Sequence, residues 1–108
     1  MSKEIGKRPL QIITNYGPKH QQEILKGEYE ELQDAIDEVE LRHEKELNYY
    51  YKDILVDEVA DVLVMLLEYI QYYDLPKEMI EDRVDYKLDR QLGRMENENK
   101  RREQSVWE

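Results

Sequence analysis

Val59-Ala60-Asp61-Val62-Leu63-Val64-Met65-Leu66-Leu67 is the most apolar stretch of the chain. From about Tyr49 to Tyr73 the apolar residues around it keep a helical period. Ile54, Leu55, Val59, Val62, Leu63, Leu66 and Ile70 form the main stripe. Val56, Val64, Met65 and Leu67 widen that stripe until the helix is apolar on nearly every side. A helix of this kind needs more than one neighbour, so the reading is an all-α fold. Asp61 interrupts the run, with Glu58 one turn before it on nearly the same face. An ionised carboxylate costs roughly several kcal/mol to bury unless a cation or a donor compensates it.

Working outward, a helix is predicted from about Pro18 or Lys19 to about Lys45. Leu25, Tyr29, Leu32, Ile36 and Val39 recur in it every three to four residues. Gly27 inside it costs about 1 kcal/mol relative to alanine, or gives a neighbour or ligand room to approach. The polar run Arg42 to Asn48 is read as the turn between the two helices. Asp74-Leu75-Pro76 ends the apolar helix and starts another, with Pro76 in its first turn and Asp74 or Leu75 as cap. Met79, Ile80, Val84, Leu88, Leu92 and Met95 carry its period. Residues 96–108 are read as a polar extension, fraying or solvated. Residues 1–17 are read as irregular or partly helical, closing on the breaker cluster Tyr16-Gly17-Pro18. The expectation is a single domain over 1–108, a helical bundle of about three main helices per chain.

The 108 residues suit one modest core. There is no cysteine, which excludes a disulfide framework or a thiolate metal site and suits a reducing cytosol. The apolar run is far too short to span a membrane, and Met1 to Arg8 lacks the apolar stretch of a secretory signal. A cytoplasmic protein with no membrane partner is expected. The net charge of −10 repels phosphate backbones, which argues against nucleic acid as a partner. It repels a free nucleotide too, unless a divalent cation or local lysines and arginines intervene.

Acids at i,i+3 are weak evidence alone. With 26 acids in 108 residues, about six such pairs arise by chance, and most are solvated helix faces. The context of Glu58 and Asp61 is less ordinary, and Glu28-x-x-Glu31 offers two more carboxylates at the same spacing from a second helix. The ordinary reading is an edge of the buried stripe paired to Lys or Arg. The functional one is a hard-cation site, since Mg²⁺ prefers carboxylate oxygens and helix-borne acids build metal sites in bundles. His20 and His43 form no pair at ligand spacing, which argues against zinc and against di-iron sites. No nucleophile elbow and no glycine-rich phosphate loop is present. The nine tyrosines read mainly as packing.

The order of the features says more than any pair. Tyr16-Gly17-Pro18-Lys19-His20-Gln21 precedes Glu28-Tyr29-Glu30-Glu31-Leu32, and Asp57-Glu58-Val59-Ala60-Asp61-Val62-Leu63 follows. This resembles the MazG-like nucleoside triphosphate pyrophosphohydrolases of the all-α NTP pyrophosphatase superfamily, over about Tyr16 to Met95. Glu28 and Glu31 match the family's first acidic motif, and Glu58 and Asp61 match the second. Gly27 departs from it, since many members carry a further Glu there. The resemblance implies that Glu28, Glu31, Glu58 and Asp61 are both the catalytic residues and the ligands of Mg²⁺, with Mn²⁺ as a substitute. Asp34 and Glu38, one and two turns on from Glu31, are auxiliary candidates. The implied reaction is hydrolysis of a (d)NTP to the monophosphate and pyrophosphate. Lys87, Arg90 and Arg94, at three- and four-residue steps, stand where family members place phosphate contacts, although salt bridging explains them equally well. The resemblance also implies a homodimer or homotetramer with a four-helix core formed on oligomerisation. The over-apolar central helix asks for such a partner independently. Two other functions compete: a catalytically silent helical module that binds nucleotides or a protein, and a structural bundle with no site.

Overall fold

The computed structural model describes residues 4–41 and 49–107, and every element in them is helical. The order is α1 (Arg8–Tyr16), α2 (Pro18–Leu41), α3 (Tyr49–Tyr72) and α4 (Lys77–Trp107). The chain divides into two compact units, Met1–Asp74 and Leu75–Glu108.

Four helices rather than about three is the main correction to the sequence reading, and all four belong to one chain. The additional one is α1, in the segment expected to be irregular or only partly helical. A helix of nine residues is marginal in isolation. Lys7 at its N-cap makes no side-chain cap, although a proline stands in its first turn as helix starts favour. The missing cap comes from α3 instead. Gln71 accepts from the Leu10 N–H (2.9 Å) and donates to the Gly6 carbonyl (2.8 Å). Ile13, fully buried, anchors the helix. Tyr16-Gly17-Pro18 is therefore a joint between two helices and not the end of a loop. Gly17, at φ 92°, donates to the Ile13 carbonyl to close α1, and its own carbonyl accepts from Gln21 to open α2. Only glycine adopts such a φ without strain.

α3 packs against both α1 and α2, as its wide apolar face requires. Met65 is the buried residue at its centre. The periodicity of α2 mispredicts its core: Tyr29 and Ile36 are exposed, while Gln21 and Ala35 are buried. Tyr69 ties α3 to the joint, its hydroxyl donating to the Pro18 carbonyl at 2.8 Å. Asp74, expected as a possible cap of the next helix, instead closes α3 in the left-handed region (φ 52°), donating to the Gln71 carbonyl. The predicted turn from Arg42 to Asn48, and the end of the first long helix near Lys45, lie outside the described residues.

The second unit is α4. Its first turn closes through the Ile80 N–H on the Pro76 carbonyl, so Pro76 precedes the helix instead of lying in its first turn. The stripe from Met79 to Met95 is present, and the helix continues through Glu96–Gln104 with every residue exposed. The polar extension is thus solvated but helical. No helix among the described residues is long and apolar enough to cross a membrane.

Candidate metal centre on α2 and α3

Glu28 and Glu31 stand one turn apart on α2, and Glu58 and Asp61 one turn apart on α3. The packing of the two helices brings all four together. One carboxylate oxygen from each lies within 4.8 Å of the others. Glu28 and Glu58 are half-buried, and Glu31 and Asp61 are exposed, so the cluster has an inner and an outer edge. Asp34 and Glu38 fall outside this group.

Four like charges at this separation repel, and the surroundings do little to offset it. Among the described residues no hydrogen-bond donor reaches Glu28 Oε2 or Glu58 Oε2, although both atoms are buried. Desolvation raises the Glu28 pKa above the ordinary carboxylate value, followed by the charges of Asp61 and Glu31 and a hydrogen bond shared with Asp61. Desolvation likewise raises Glu58, followed by the charges of Glu31 and Asp61 and a hydrogen bond shared with Glu31. The pairs therefore couple across the helices, Glu28 with Asp61 and Glu31 with Glu58. A buried carboxylate oxygen without a donor is costly, and a bound divalent cation is one species that satisfies several at once.

Lys87, Arg90 and Arg94 are exposed on α4, in the second unit. Sequence reasoning singled out Asp61 as the acid most out of place, yet Asp61 is exposed. The most deeply buried acid of α3 is Glu68, 1% exposed, which the reading passed over. Its partner is Gln21 of α2, whose Nε2 donates to Glu68 Oε1 at 2.7 Å. The available signal was the seven-residue step from Asp61 to Glu68, two helical turns along one face. The same step separates Gln21 from Glu28 on α2.

Comparison of the chain with protein-family models, with curated proteins and with solved structures finds no match. The all-helical architecture and the four-acid cluster are compatible with a MazG-like fold.

Proposed function

We propose that this protein is a Mg²⁺-dependent nucleoside triphosphate pyrophosphohydrolase of the MazG-like kind. One observation carries the reading: four carboxylates from two helices converge within 4.8 Å, and two of their oxygens are buried with no donor among the described residues. A solvated acidic face does not bury unpaired oxygens. Glu28, Glu31, Glu58 and Asp61 are the residues that would hold the metal, with Mn²⁺ as a substitute. When bound, Mg²⁺ supplies positive charge against the triphosphate and lowers the pKa of water.

The rest of the chemistry belongs to the chain. The exposed edge at Glu31 and Asp61 is where a polyanionic substrate arrives. The oxygen of water bonds to phosphorus, the α–β anhydride bond breaks, and pyrophosphate leaves with the monophosphate as second product. The water's proton passes to a carboxylate of the cluster acting as general base. Lys87, Arg90 and Arg94 are proposed as phosphate contacts on the family resemblance alone, and their charge-neutral variants should raise KM for nucleotides.

A homodimer or homotetramer in the cytoplasm belongs to the same reading. Val56, Val59, Leu63 and Leu66 of α3 are each more than 40% exposed, an apolar face that a second copy would cover.

The test is pyrophosphate release from a panel of NTPs and dNTPs with and without Mg²⁺. Metal-dependent release from at least one nucleotide supports the reading. Nucleotide binding without release at high enzyme concentration supports the catalytically silent module instead.

A further inference from the structure

One flank of α2 carries a run of features that packing does not explain. Glu31, Gly27, Ile24 and His20 follow one another towards the N-terminus at four-, three- and four-residue steps, so they share one stripe. It begins at the exposed edge of the acid cluster. Gly27 leaves a gap in it, because a Cβ there would meet nothing within 4 Å. A glycine inside a helix costs about 1 kcal/mol relative to alanine, and here no crowding requires it. Ile24, next along, is 41% exposed. At the far end the His20 ring lies on Tyr16, with centroids 5.1 Å apart and planes at 16°.

The orientation of His20 is held from inside the protein. Glu68 and Gln21 are buried, and Gln21 Nε2 donates to Glu68. That leaves Gln21 Oε1 as an acceptor 2.8 Å from His20 Nδ1. The relay selects the tautomer with the proton on Nδ1, so in the neutral ring Nε2 is an acceptor. An exposed histidine is thus fixed on one side by an aromatic ring and on the other by a chain ending in a buried carboxylate. Along the axis His20 lies about 12–16 Å from Glu28 and Glu31, at about 1.5 Å per residue. An extended nucleoside triphosphate is of that order of length.

We propose that this stripe is the nucleoside subsite: with the phosphates at the acid cluster, the sugar crosses the gap at Gly27 beside Ile24, and an N–H on the edge of the base donates to His20 Nε2. Gln21 and Glu68 act through His20 and are positioning residues. The proposal rests on the pyrophosphohydrolase reading and adds the direction in which the nucleotide lies.

The experiment measures kcat and KM over a panel of nucleotides, inhibition by pyrophosphate, and melting temperature. It compares the wild type with Gly27→Leu, His20→Ala, Glu68→Gln and Glu68→Leu. Gly27→Leu should raise KM by about tenfold or more while the melting temperature holds or rises, because a better helix former replaces glycine in open space. His20→Ala should raise KM and level the preference among bases, with kcat changed by less than about threefold. Pyrophosphate inhibition should not move in either variant. Glu68→Gln keeps an acceptor for Gln21 and should keep the base preference, whereas Glu68→Leu should lose it. An active wild type with unchanged KM in both Gly27→Leu and His20→Ala overturns the subsite and leaves the hydrolase reading standing. Weakened pyrophosphate inhibition in those variants overturns it also, since the stripe would then serve the phosphates. A wild type that releases no pyrophosphate from any nucleotide overturns both readings.

Discussion

A single acid, Glu68, and a group of four lie along the seam between α2 and α3, and the chain treats them oppositely. Glu68 is almost wholly buried, yet Gln21 donates to it and His20 extends the network. Glu28 and Glu58 are only half-buried, yet each holds a buried oxygen that no donor among the described residues reaches, close to other carboxylates. Depth of burial therefore does not decide which acid lacks a compensating partner. Glu68 is compensated within the folded chain, and the proposed function assigns the other four acids to a metal ion.

The comparison can be broken in several places. The largest expected effect is on turnover: Glu58→Gln should reduce pyrophosphate release by about a hundredfold or more while the circular dichroism spectrum stays helical, because it removes a proposed metal ligand and not a packing contact. Mg²⁺ at about a hundred times its Kd should stabilise the wild type by about 2.7 kcal/mol, read as a raised melting temperature, and Glu58→Gln should lose most of that rise. Gln21→Ala should act the other way round. It leaves Glu68 buried without its donor and should cost about 2–3 kcal/mol in denaturant unfolding, with or without Mg²⁺.

A smaller effect concerns pH. Glu28 and Glu58 have folded pKa values above the ordinary 4.5. The metal-free folded protein therefore binds protons more tightly than the unfolded chain between that value and the raised ones. Stability from this source is present at low pH and is lost as pH rises through the folded values. Metal-free Glu58→Gln should accordingly melt above the wild type at neutral pH, and the gap should close as pH falls towards 4.5. A constant gap would mean that burial and the neighbouring acids do not raise the Glu58 pKa in the free protein. The smallest effect is Tyr69→Phe, which removes the hydrogen bond to Pro18 and should cost about 1 kcal/mol without changing the response to Mg²⁺.

The sequence made the helical class legible because α3 is too apolar to be anything but a packed helix. The four acids were picked out by the order of two motifs that resembles the MazG-like pattern, since their i,i+3 spacing alone is weak evidence. α1 was not, because the groups that hold its N-terminus come from Gln71, 61 residues beyond Leu10. Local propensity carries no trace of such a cap. The core of α2 was misjudged for a related reason. Gln21 is polar, and only the presence of Glu68 across the seam makes its burial favourable. Which acid lacked a donor was likewise invisible, since that depends on what every neighbouring element brings within reach.

The most direct test of the central claim is anomalous diffraction from crystals grown with Mn²⁺. Anomalous density is expected bounded by the carboxylates of Glu28, Glu31, Glu58 and Asp61, and absent from crystals of Glu58→Gln grown in the same way. Crystals with Mn²⁺ bound elsewhere and none among these four acids, or with the four carboxylates each paired to a lysine or arginine, would contradict it.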